Sequence, residues 1–190
     1  MKAAAGLFMA RGYAGVSTRD IATAAKMSKR ELYALFESKQ AILVACITHR
    51  IAQIDLAVAL PAVSDRASLA RALGGFARNV LRELSRPAAI ALYRLAVVEA
   101  KRAPEIARAL DSAGRVPLRA ALTSWLTAAQ TAKLMAEGDP NAFTEQFFSL
   151  LLGELRLRLI LKLASRPTED EIETRADAVT DAFLRLHQGG

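Results

Sequence analysis

The run STRDIATAAKMSKRELYALFESK, Ser17 to Lys39, gathers the side chains of this chain best suited to a polyanion. Arg30 is a candidate base reader, because a guanidinium can donate two bonds to guanine O6 and N7, and Lys29 can reach either a base or a phosphate. Both also fit solvated surface charges. Tyr33 suits a phosphate contact or a half-buried packing role. Ser28 and Glu31 form Ser-x-x-Glu, a capping box for a helix that opens at Lys29, although a carboxylate at Glu31 can also accept from cytosine N4. Thr18 is expected to cap the helix before it and to offer its hydroxyl or N–H to a phosphate. Lys39, following Ser38 as a cap, is placed for another phosphate contact.

Two short helices are needed to hold these groups. One begins at Thr18 and buries Ile21, Ala22 and Ala25, a turn follows at Lys26-Met27, and a second runs from Ser28 to Tyr33 with Leu32 and Phe36 anchoring its back. Two short helices joined by a tight turn make a helix-turn-helix, whose second helix enters the major groove of double-stranded DNA. The spacing therefore predicts a recognition helix with Lys29, Arg30 and Tyr33 on its exposed side.

The charge distribution points the same way. The chain of 190 residues carries a formal net charge of +7, and a basic excess is informative where it is localised. Residues 1–50 hold eight Lys or Arg against three Asp or Glu, whereas the remaining 140 hold eighteen against sixteen. That is a basic head on a near-neutral body. Charged residues interrupt every apolar run before membrane-spanning length, and MKAAAGLFMARGYAG is a poor signal peptide, so a soluble cytoplasmic protein without a membrane partner is expected. Cys46 is the single cysteine, so a zinc site would need His49, His187 and carboxylates besides; a buried small hydrophobe beside a half-exposed histidine is the expected reading, with no metal and no cofactor. No Gly-rich phosphate loop occurs and neither histidine has an evident triad partner, so no enzyme is expected.

Nearly every segment has helical composition and period. Helices are predicted near 2–11, 18–25, 29–35, 39–60, 65–85, 87–102, 104–113, 115–133, 140–163 and 168–187. Pro87, Pro104 and Pro140 stand where first turns begin, Thr168 with Glu171 fits a capping box, and Gly12 and Gly15 mark a loop around Tyr13. Leu155 to Leu161 alternates in a way that also suits a strand. Helix is favoured there, because a lone strand would lack a pairing partner.

The pattern Leu7-Phe8, Gly12-Tyr13, Thr18, Ile21-Ala22, Ala25, Ser28-Lys29, Leu32-Tyr33, Phe36, Ser38-Lys39 and Leu43 resembles the DNA-binding region of TetR/AcrR-family regulators. PAAIALYRLAVVEAKRAPEIARAL, LRAALTSWL, FTEQFFSLLLGELRLRLIL and DAFLRLH resemble the C-terminal domain of AefR-like members. The resemblance implies an all-α homodimer that represses transcription at a palindromic operator and releases it when a small-molecule effector binds. The implied architecture is a three-helix helix-turn-helix head, residues 1–45, joined by a long helix to a ligand-binding and dimerisation domain, residues 46–190. Apolar stripes around Phe147 to Leu163 and Ala178 to Leu186 would pair two subunits as a four-helix interface. Phe76, Tyr93, Leu95, Val98, Trp125 and Phe147 are the candidate pocket residues. Three features depart from the pattern: Lys26 stands where Gly is usual in the turn, Glu31 where Thr is common, and only Met1 and Lys2 precede Ala3. A helical carrier or interaction protein without sequence-specific DNA binding is the alternative function.

Overall fold

The computed structural model describes residues 1–52 and 60–188. Among them the chain forms α1 (Lys2–Arg11), α2 (Thr18–Ala24), α3 (Lys29–Leu35), α4 (Lys39–Ala52), α5 (Arg66–Leu84), α6 (Pro87–Glu99), α7 (Pro104–Leu110), α8 (Val116–Thr131), α9 (Pro140–Leu152), α10 (Leu155–Ile160) and α11 (Glu169–Leu186). A wider π-type turn, Asp111–Arg115, follows α7. The fold is all-α, as the periodicity predicts. The far end of the predicted 39–60 helix lies outside the described residues, apart from Leu60, which is not helical.

The helices group into two compact units. One takes α1–α4 with Ala91–Val116; the other takes α5, Pro87–Ile90 and the chain from Pro117 onward. In the first, Phe8, Val16, Ile21, Leu32, Leu43 and Ile47 form one buried core with Ala103 and Ile106. Gly12, at φ 70°, ends α1 in a conformation that L side chains avoid. Gly15 is required for another reason, since a Cβ there would lie 2.5 Å from the Arg11 carbonyl oxygen.

The second unit is built on phenylalanines. Phe76, Phe147 and Phe183 are fully buried among Leu69, Leu73, Leu122 and Leu126. Phe147 meets Phe183 edge-on at 5.3 Å, an arrangement that suits the ring quadrupole, and Phe76 in a tilted pair at 6.1 Å.

Three expectations from the sequence are corrected. The predicted 140–163 helix is two helices, because Gly153 adopts φ 41° and ends α9. The apolar stripes assigned to a subunit interface are internal in part: Phe147, Phe148, Leu151, Val179, Phe183 and Leu184 are buried within their own chain. The exposed leucines nearby are Leu150, Leu157, Leu161, Leu163 and Leu186. The predicted 104–113 helix stops at Leu110, where the backbone widens into the π-type turn.

Candidate nucleic-acid interface

Both short helices of the head open on reciprocal caps. The Ser17 hydroxyl accepts from the Asp20 N–H at 3.1 Å while the Asp20 carboxylate accepts from the Ser17 N–H at 2.8 Å. Ser17 and not Thr18 is therefore the cap, and Thr18 occupies the first helical position. Ser28 and Glu31 repeat the device: the Glu31 N–H donates to the Ser28 hydroxyl at 3.1 Å and the Ser28 N–H to Glu31 Oε2 at 2.7 Å. The Ser17 hydroxyl also donates to Asp20 Oδ2 at 2.6 Å, and bonds to the carboxylates hold both carboxyls below the ordinary range, Glu31 chiefly through the Ser28 N–H and Asp20 chiefly through this hydroxyl. Glu31 thus serves as a helix cap.

Between the helices lies a Schellman turn. The Met27 N–H donates to the Ala22 carbonyl at 3.0 Å and the Lys26 N–H to the Thr23 carbonyl at 3.1 Å, with Lys26 at φ 55°. The lysine at the usual glycine position therefore does adopt the left-handed conformation, against the steric preference of an L residue. Ile21 and Ala22 are buried beneath the turn, whereas Ala25 faces solvent and does not help the two helices approach.

α3 splits cleanly by face. Leu32 is buried and Phe36 half-buried, while Lys29, Arg30, Glu31 and Tyr33 are exposed. The Tyr33 hydroxyl meets the Thr18 hydroxyl at 3.2 Å, so the start of α2 and the outer side of α3 carry adjoining donors. Ala34 and Leu35 are exposed on the same helix.

Lys39 has a second role that its charge did not announce. Its ammonium donates to the carbonyls of Tyr13 at 2.9 Å and Val16 at 3.0 Å, and stands 4.1 Å from the Tyr13 ring centroid. It ties the loop after α1 to the start of α4, which Ser38 caps by accepting from the Ala41 N–H at 3.0 Å.

The family assignment follows from matches along the chain. Residues 1–46 match the family model of bacterial regulatory proteins, tetR family, and residues 71–188 that of the AefR-like transcriptional repressor, C-terminal domain. The chain belongs to the TetR family of transcriptional regulators. A TetR-family regulator from Mesorhizobium loti MAFF303099 is 25% identical and superposes with a TM-score of 0.87, covering 98% of this chain and 94% of that one. The flavonoid-responsive regulator FrrA is 33% identical with a TM-score of 0.84, at the same coverages of 98% and 94%. A TetR regulator from Agrobacterium tumefaciens is 27% identical with a TM-score of 0.81, covering 98% and 91%. No curated protein sequence matches. This TetR-family chain is a DNA-binding transcriptional regulator of a non-enzymatic family whose members typically act as dimers with small-molecule effectors.

The candidate pocket residues divide between the two units. Phe76, Trp125 and Phe147 are buried in the core of the second unit, where the Trp125 indole N–H donates to the Pro61 carbonyl at 2.8 Å. Tyr93, Leu95 and Val98 lie on α6 in the first unit. Val98 is 73% exposed and lines no interior surface; a helical period marks an apolar face without saying whether the chain covers it. Cys46 is buried, with burial pushing its thiol pKa up. Among the described residues no group of three His, Cys, Asp or Glu can hold a metal ion, and no helix is long and apolar enough to cross a membrane.

Proposed function

We propose that this regulator is a ligand-responsive repressor that binds a palindromic operator as a homodimer in the cytoplasm. The observation that carries this reading is the surface of α3: Lys29, Arg30 and Tyr33 stand exposed while Leu32 is buried, with Tyr33 beside the Thr18 hydroxyl. In this reading residues 1–45 form the DNA-binding module and residues 46–190 respond to ligand. Arg30 and Lys29 read base edges, while Thr18, Tyr33 and Lys39 hold phosphates. Two of the three Lys39 protons are committed to carbonyls, which leaves one for a phosphate oxygen. Ser28 and Glu31 fix the angle at which α3 enters the groove.

The partner subunit is proposed to cover the outward faces of α9 and α11, where Leu150 and Leu186 are exposed, rather than the buried stripes. Two recognition helices then meet successive major grooves about 34 Å apart. The effector is proposed to be an apolar aromatic molecule that enters among the side chains around Phe76, Trp125 and Phe147 and shifts that spacing. Support comes from the aromatic core and from the likeness to a flavonoid-responsive regulator.

Selection of duplexes from a random-sequence library tests the reading, combined with light scattering of the free protein. A dimer that enriches one inverted-repeat sequence is expected. A monomer, or no enriched sequence at moderate salt, would favour the helical carrier instead.

A further inference from the structure

We propose that Glu83 selects the effector: its buried carboxylate oxygen accepts a hydrogen bond from a hydroxyl carried on an uncharged aromatic molecule. Glu83 is 6% exposed and stands among the buried apolar residues of α5. One of its oxygens, Oε1, meets the Arg86 guanidinium at 2.7 Å. The other, Oε2, is buried and has no hydrogen-bond partner among the described residues. Native interiors rarely leave a carboxylate oxygen unpaired, because desolvating it costs free energy that only a new donor returns.

The place of Glu83 in the fold says what that donor is attached to. Glu83 follows Phe76 by seven residues of α5, a step that returns to within about 20° of the same direction on a helix. Val80 lies between them and is buried. Phe76 is 6.1 Å from both Phe147 and Phe148, so the stripe that ends at Glu83 passes a cluster of rings. A helical side chain leans toward the N-terminus of its helix, which brings the carboxylate back toward Val80 and Phe76. An aromatic molecule beside Phe76 and Val80 thus buries its rings and can reach Oε2 with one substituent. The Arg86 guanidinium already balances the carboxylate charge, so a neutral donor fits and a second cation does not. The inference rests on the effector entering around Phe76, as proposed above.

The test compares 2-naphthol with 2-methoxynaphthalene, which keeps the rings and the oxygen and loses the donor, by isothermal titration calorimetry on the full chain. Wild-type protein should bind 2-naphthol about tenfold more tightly, the scale of a hydrogen bond to a charged group. Glu83→Leu should bind the two probes alike. Glu83→Gln keeps the shape of the side chain, and its neutral acceptor should reduce the preference to about threefold. A preference that survives undiminished in these variants places the acceptor elsewhere and overturns the inference. Equal binding of the two probes by wild-type protein also overturns it, while release of the library-enriched duplex by either probe would leave the effector reading standing. If neither probe binds, both fall.

Discussion

The Thr18 hydroxyl and the Tyr33 hydroxyl meet at 3.2 Å across α2 and α3. The contact joins the first turn of the supporting helix to the outer face of the recognition helix, and neither residue is buried. One hydroxyl spends its proton on the other, and the second is left to donate to a phosphate, a contact that would fix the register of α3 without reading sequence.

Tyr33→Phe should accordingly weaken binding about tenfold on specific and scrambled duplexes alike, the scale of a hydrogen bond to a charged group. The ring is kept, so the melting temperature should hold. Gel-shift titrations on both duplexes measure this, and a loss confined to the specific duplex would show that Tyr33 reads a base.

Lys39→Met should cost about 1–3 kcal/mol of stability in urea unfolding, because the Tyr13 and Val16 carbonyls lose a charged donor. A phosphate role predicts, in addition, a shallower salt dependence of DNA binding. Unchanged stability would show that the tie to the loop is worth little. An unchanged salt slope would remove Lys39 from the phosphate contacts.

Among the described residues three helices end on a lysine in the left-handed conformation: Lys26 at φ 55°, Lys133 at φ 58° and Lys162 at φ 60°. At each, the next residue donates five positions back, Met27 to Ala22, Leu134 to Ala129 and Leu163 to Arg158, the mark of a Schellman turn. Glycine relieves the steric cost and gives back part of it as unfolded-state entropy. Lys26→Gly, Lys133→Gly and Lys162→Gly should each stabilise the protein by about 0.5–1 kcal/mol in thermal unfolding. A destabilised variant would show that the lysine side chain contributes more than its backbone strain removes.

Burial alone lowers the His187 pKa: its ring lies against Phe143 at 3.8 Å and Phe183 at 4.7 Å, and Nε2 is 2.8 Å from Gln146 Oε1. The unfolded chain takes up a proton near pH 6.5, while the folded one holds the ring neutral to lower pH. The contribution to stability is therefore complete above pH 6.5 and is lost as pH falls from there through the folded pKa. Urea unfolding from pH 7.5 to 5 should show the decline, and His187→Gln should flatten it. A decline of the same size in the variant would assign it elsewhere.

What could be seen in the sequence was local. Pro87, Pro104 and Pro140 open helices, and Ser28 with Glu31 and Thr168 with Glu171 close capping boxes, because each device acts within one turn. The cap at Ser17 was placed one residue late, since its third residue is Asp20 and the usual partner is Glu or Gln. The exposed face of α3 followed from Leu32 and its neighbours alone.

What could not be seen depended on distant chain. The carbonyls that engage Lys39 come from Tyr13 and Val16, and nothing in a lysine's own neighbourhood points to them. The stripes of α9 and α11 are apolar whether a partner subunit or the chain's own Phe76 and Leu73 cover them. Val98 shows the converse, an apolar residue at core spacing that is left uncovered.

Arg30 bears the central claim, and the Arg30→Ala variant tests it most directly when its binding is measured against every single-base change in the operator. The account predicts a loss of about 1–3 kcal/mol, with discrimination relaxed at one guanine position in each half-site and retained elsewhere. Equal weakening on all sequences would contradict it, placing Arg30 on the phosphate backbone and leaving α3 without its base reader.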